Sequence, residues 1–128
     1  MRKELENKLF NDFPNLYRQH NLPKRETCMS YGFTCGDGWF DIIYNLSRKI
    51  SEIDSTIEAI QVKEKFGGLR FYLTPIKEAN YKEICDVINE AESEASKTCE
   101  KCGSKENVLL RKGSWLRTLC DKCEKEKG

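Results

Sequence analysis

The chain has no excess of either charge. Its 22 Lys and Arg stand against 21 Asp and Glu, for a formal net charge of +1. A general nucleic-acid coat carries a strong basic excess, so any basic site here must be local. Histidine occurs once, as His20, in a stretch with no partner motif. That leaves little for histidine-based acid–base or nucleophilic chemistry. Neither a Walker loop nor a dinucleotide fingerprint is present. No apolar run approaches the ~20 residues of a membrane span. The opening segment MRKELENKLF is charged and lacks the apolar core of a secretory signal. Repeats and low-complexity tracts are missing as well. These absences predict a cytoplasmic protein with no membrane partner, and a binder rather than an enzyme. Carboxylates need no motif, so acid–base work by Asp37, Asp41 or Glu64 stays open.

What is present fits one α+β domain with a small appendage in 128 residues. Leu5, Leu9 and Phe13 have helical spacing and end at Pro14. The segment from Pro14 to Glu26 has no clear period and reads as loop. In CMSYGFTC, Met29, Tyr31, Phe33 and Cys35 share one parity, which predicts a strand. Phe40, Ile43, Leu46, Ile50 and Ile53 predict a second helix, with Asp37 as its N-cap. Thr74 as cap, Pro75 at the first position and a stripe of Ile84, Ile88, Ala91 and Ala95 predict a third, from about residue 75 to 97.

Between these helices lies VKEKFGGLRFYL. A two-residue turn at Gly67 and Gly68 would set Phe66 opposite Leu69, Lys65 opposite Arg70, Glu64 opposite Phe71 and Lys63 opposite Tyr72. One face then carries Ile60, Val62, Phe66, Leu69, Phe71 and Leu73 and belongs to a core. The other carries Gln61, Lys63, Lys65, Arg70, Tyr72 and Thr74. It is either a solvated sheet surface or a platform for an anionic ligand, with Arg forking onto phosphate, Tyr stacking on a base and Gly67 and Gly68 allowing close approach. Glu64 falls on the apolar face and must reach an edge, pair with a cation or be reset by a bulge. CGDGWF supplies a second candidate. Gly36 and Gly38 flank Asp37 at a helix start, where free N–H groups favour anions, with Trp39 and Tyr31 nearby. Asp37 as a cap and Trp39 as core are the competing readings.

The sharpest chemical signal is at the C-terminal end. Cys99 and Cys102 form one C-x-x-C pair and Cys120 and Cys123 another, with 17 residues between them. This is four-cysteine zinc-site spacing, and four thiolates leave no open coordination position, so the Zn2+ would be structural. VLLR, a Lys112-Gly113 turn and SWLRTL would form the intervening hairpin. Cys28, Cys35 and Cys85 lack such a pattern and read as small buried hydrophobes. The architecture expected is a small antiparallel sheet packed by helices in residues 1–97, followed by a zinc ribbon in residues 98–128.

ETCMSYGFTCGDGWFDII, QVKEKFGGLRFYL, AESEASKTCEKCG and GSWLRTLCDKC together resemble a group of small proteins encoded by bacteriophages and prophages, with a C-terminal four-cysteine zinc ribbon. The likeness spans roughly residues 13 to 123. It implies a phage setting in the host cytoplasm. By analogy with small phage proteins that bind host nucleotide immune signals, it also implies an anti-defence role. The leading expectation is sequestration of a small anionic ligand, a cyclic or signalling nucleotide, at Lys63, Lys65, Gly67, Gly68, Arg70, Tyr72, Asp37 and Trp39. The alternatives are a nucleic-acid accessory protein, acting through Arg111, Lys112, Trp115 and Arg117, and an inhibitor of a host protein. A homo-oligomer is compatible with each.

Overall fold

The computed structural model describes residues 1–127; Gly128, the last residue of the expected ribbon, lies outside them. Among the described residues no helix is long and apolar enough to cross a membrane. The fold is α+β. Helix α1 (Lys3–Asp12) is followed by short 3-10 turns at Arg18–Asn21 and Cys28–Tyr31, strand β1 (Phe33–Thr34) and a third 3-10 turn at Asp37–Trp39. Helix α2 (Phe40–Ile53), hairpin strands β2 (Ala59–Lys65) and β3 (Gly68–Leu73), and helix α3 (Glu78–Ser96) complete the larger part. Strands β4 (Val108–Arg111) and β5 (Arg117–Cys120) and helix α4 (Asp121–Lys127) form the C-terminal unit.

The first sheet is mixed, which corrects the purely antiparallel expectation. Its order is β1-β2-β3, with β2 antiparallel to β3 but parallel to β1 through Phe33↔Val62 and Thr34↔Lys63. Parallel neighbours need a long crossover, and α2 provides it. The strand expected over residues 28–35 shrinks to Phe33 and Thr34, because Thr27 Oγ1 accepts from Met29 N and starts a 3-10 turn instead. Tyr31 is thereby exposed, while Met29 and Phe33 stay in the core.

The hairpin turns one residue earlier than expected. Phe66 (φ 55°) and Gly67 (φ 83°) are its central residues. Lys65 pairs with Gly68, Lys63 with Arg70, Val62 with Phe71 and Gln61 with Tyr72. Moving the turn by one residue shifts each pairing by two, so Lys63, Lys65, Arg70 and Tyr72 stay on one face and Val62, Leu69 and Phe71 on the other. Val62, Leu69 and Phe71 join Ile43, Leu46 and Ile50 of α2 and Ile84, Ala91 and Ala95 of α3 in one core. Two expected core residues leave it. Phe66 goes into the turn and is 69% exposed, and Ile60 is turned outward by a bulge between Ala59 and Gln61.

Helix α3 begins at Glu78, not at residue 75. Thr74 is used at the open end of the hairpin, where its N–H donates to Glu58 O (2.9 Å) and its hydroxyl accepts from Glu58 N (3.1 Å). Asp54, at the end of α2, ties this region together. Its carboxylate accepts from Thr56 Oγ1 (2.6 Å) and Thr56 N (2.9 Å) and faces Lys77 Nζ at 3.8 Å. His20 stacks on Phe10 with ring centroids 3.9 Å apart, a packing role.

Truncating a core ring of the hairpin should be costly. Phe71→Ala is expected to lower unfolding free energy by about 3–5 kcal/mol in denaturant titration. Asp54 gives a pH signature. The Thr56 hydroxyl and N–H hold its carboxyl below the usual range. Its stabilisation is therefore present above the ordinary carboxylate pKa and lost as pH falls through the lowered value. Asp54→Asn should flatten the acid limb of the stability–pH curve.

Candidate functional site

Two sets of residues can do chemistry: the four C-terminal cysteines and the outer face of β2 and β3. The cysteines converge. Cys99 and Cys102 lie on a tight knuckle after α3, where Cys99 N donates to Ser104 O and Gly103 N donates to Cys99 O. Cys120 ends β5, and Cys123 follows in the first turn of α4. All four Sγ atoms lie within 4.8 Å of one another, and Cys102 and Cys120 are 3.7 Å apart. A tetrahedron with metal–sulfur bonds of ~2.3 Å has edges of about 3.8 Å, so the donors fit a single divalent cation. Ser104 N donates to Cys102 Sγ and Cys123 N to Cys120 Sγ, each at 3.4 Å, aiming positive dipoles at the sulfurs.

The electrostatics agree with the geometry. Burial works against the Cys99 thiolate, but the N–H groups of Cys102, Cys120 and Lys101 bring its pKa down to about 7. Burial and the neighbouring thiols push Cys123 up to about 12. The thiolate is thus favoured at Cys99 and disfavoured at Cys123, and a bound dication favours the ionised form of a sulfur that ligates it. The hairpin between the pairs differs from expectation. Arg111 pairs with Arg117, so residues 112–116 form a five-residue loop in place of a turn at Lys112-Gly113. Of the other cysteines, Cys35 is buried and pushed up to about 12, chiefly by burial; Cys28 is exposed, contrary to the buried expectation.

The second sequence candidate, around Asp37, proves to be a dock for this knuckle. Gly36 N donates to Glu100 Oε2 (2.8 Å) and Gly38 N to Glu100 O (2.7 Å). The anion that Gly36 N–H meets is the protein's own, and Gly38 N–H is taken by a backbone carbonyl. A Cβ on Gly38 would overlap the Cys99 carbonyl and lie 2.6 Å from Glu100 O and Gly103 N. Asp37 makes no capping bond to α2; it accepts from Arg2 N (2.8 Å) and pairs with the Arg2 guanidinium (3.6 Å). Trp39 is wholly buried, and its indole N–H donates to Thr98 O (3.0 Å), so no ligand reaches it. Glu100 and Thr98 carry this contact without any motif to mark them.

The remaining candidates share one surface. Lys63 and Arg70 are directly opposite, Lys65 is two pairs nearer the turn and Tyr72 two pairs beyond. Lys63 and Lys65 make no ion pair among the described residues, and Lys65 Nζ lies 5.5 Å from the Phe66 ring centroid. Arg70 Nη1 donates to Leu69 O (3.2 Å), and its charge faces Glu92 of α3. Glu64 resolves its anomaly by accepting from Gly67 N (2.7 Å). Thr118 of β5 donates to Gly67 O (2.7 Å), joining the C-terminal unit to the hairpin tip. On β4 and β5, Arg111 is committed to Leu119 O, Asn107 O and Asp121, and Arg117 lies 3.8 Å from Glu100. Lys112 and Trp115 alone of that candidate group are exposed.

Compared with family models, curated proteins and solved structures, the chain finds no match. A functional reading therefore rests on the geometry above.

Removing one sulfur ligand should loosen the knuckle and thereby the environment of Trp39. In a Trp115→Phe background, Cys120→Ser or chelation is expected to shift Trp39 fluorescence. Metal affinity should fall as pH falls, because protons compete for the four sulfurs. Gly38→Ala should mimic ligand loss in the same fluorescence assay, since its methyl group displaces the knuckle carbonyl.

Proposed function

We propose that the protein is a non-catalytic binder of an anionic, base-bearing ligand, with nucleotides as the ligand class, and that its four cysteines hold a structural zinc ion in a ribbon-type unit. The observation that supports the ligand reading is the outer face of the hairpin. Lys63, Lys65 and Arg70 gather there beside Tyr72, while the opposite face is taken up by the core. Arg offers a forked donor for phosphate, Lys offers point charges, and a half-exposed Tyr offers a ring for a base. Four sulfurs complete a tetrahedral shell and leave no position for water, so the zinc stabilises the fold and activates nothing. Cytoplasmic placement and the phage setting implied by the sequence resemblance extend this reading: such a binder would withdraw a host signalling nucleotide from its receptor.

A second reading has its own support. Leu109, Leu110 and Trp115 of the C-terminal unit are 60%, 48% and 73% exposed, apolar side chains that a host protein could cover. With Arg111 committed elsewhere, the ribbon is the weaker place for nucleic acid.

The test is a thermal-shift screen with nucleotides, which stabilise a protein that binds them only when folded. Arg70→Ala should abolish the shift by a responding nucleotide while changing the melting temperature of the free protein only modestly, since Arg70 is half-buried and its one hydrogen bond is to the neighbouring Leu69 carbonyl. Arg70→Lys should recover part of the shift if charge suffices and none if the fork is needed. An unchanged shift in Arg70→Ala would remove this face from consideration. Metal analysis of protein purified without chelator should find one zinc per chain.

A further inference from the structure

Phe66 is placed where local turn preference would not put it. It is the first central residue of a two-residue turn, at φ 55°, a region that Asn, Asp and Gly enter readily and a bulky side chain does not. Its ring is 69% exposed, so burial returns little of that cost. The turn is nevertheless held rigidly. Gly67 N donates to Glu64, Gly67 O accepts from the buried Thr118 hydroxyl, and a Cβ at Gly67 would overlap Leu110. A strained, exposed aromatic ring on an immobilised turn is preorganised for contact, because little side-chain or loop freedom remains to be lost on binding.

The ring also borders the cationic face. Lys65, which belongs to that face, has its ammonium 5.5 Å from the Phe66 centroid. Along the hairpin the order is therefore Tyr72, then Arg70 opposite Lys63, then Lys65, then Phe66. At ~3.3 Å per residue, the two rings stand about 15 Å apart along the strands. That span matches about four stacked nucleotides at ~3.4 Å each, and it exceeds what one nucleotide can bridge. Five cavities of about 110–490 Å³ lie on the molecule, and none of these five is lined by Lys63, Lys65, Arg70 or Tyr72. Small ligands are usually enclosed by pockets, whereas an open face with aromatic rings at intervals and cations between them suits a chain of bases and phosphates.

We propose that the ligand of this face is a single-stranded nucleic acid, lying along the β2–β3 hairpin with its phosphates on Lys63, Lys65 and Arg70 and with bases stacked on Tyr72 and Phe66. The proposal rests on the sheet-face reading above and narrows its ligand from a nucleotide to a short strand. It assigns Phe66 a binding role and explains why a poor turn former occupies a turn.

The experiment is fluorescence anisotropy with fluorescein-labelled octadeoxythymidylate and octauridylate, with unlabelled dimers, tetramers and mononucleotides as competitors. Both low and moderate salt are used, since phosphate contacts give a steep salt dependence. The expected result is binding of at least one octamer, with competition rising from dimer to tetramer and levelling thereafter. The ratio of the two octamer affinities reports whether the sugar is read. Phe66→Asn is the decisive variant. Asn suits the turn, so the melting temperature should hold or rise, while octamer affinity should fall about tenfold or more from loss of one stacked base. A purely structural Phe66 would not couple unchanged or greater stability to weaker binding. If Phe66→Asn binds the octamer as wild type does, or a mononucleotide competes as well as a tetramer, the strand proposal is overturned and the nucleotide reading stands. Failure of both octamers and all mononucleotides to bind at low salt overturns both.

Discussion

Glu100 stands between two cysteines of the four-sulfur cluster, and its carboxylate and carbonyl are both taken by the glycine loop ahead of α2. Burying a carboxylate is unfavourable, and burial does raise its pKa. Gly36 N–H offsets this on one oxygen. The other has no hydrogen bond among the described residues and has the Arg117 guanidinium at 3.8 Å. The benefit is positional. Glu100 N also donates to Thr118 O, so one residue connects the knuckle, β5 and the glycine loop. Thr118 then reaches the hairpin tip through Gly67. The four-cysteine cluster and the outer sheet face are thus parts of one mechanical chain.

The same chain accounts for the turn. A two-residue hairpin in isolation would favour Gly-Gly at its centre, since both positions need positive φ. Here Glu64 from β2 and Thr118 from β5 both bind Gly67, and that places Phe66 in the other central position. Tertiary contacts override a local preference of modest size, leaving an aromatic ring displayed at the tip. The cationic face survives this change because of parity. A one-residue displacement of the turn moves the pairing by an even number, and Lys63, Lys65, Arg70 and Tyr72 remain together.

Some of the site and fold was legible beforehand for clear physical reasons. Four cysteines at metal-site spacing need only local chain geometry to converge, and they do. Helix α2 has a strong 3.6-residue period and appears where that period runs. Alternation in β2 and β3 assigned the hairpin faces, apart from Ile60 and Phe66, whose positions depend on a bulge and on contacts distant in sequence. The start of α3 is not legible in the sequence because Thr74 has two possible partners, a helix N-terminus or Glu58 across the hairpin, and only the pairing of the strands chooses between them.

Composition, periodicity and cysteine spacing by themselves determined an α+β chain with a four-sulfur cluster at one end and a two-faced hairpin within it. These properties follow from residues close in sequence, where bond geometry limits the outcomes. Tertiary structure alone decided that β1 runs parallel to β2, that the glycine loop holds Glu100 in place of a foreign anion, that Asp37 holds Arg2, and that Trp39 is sealed beneath Thr98. Each of these joins groups tens of residues apart. Backbone N–H groups that look free in a sequence find partners only when the whole chain is packed, because a buried donor left unpaired costs more than almost any alternative.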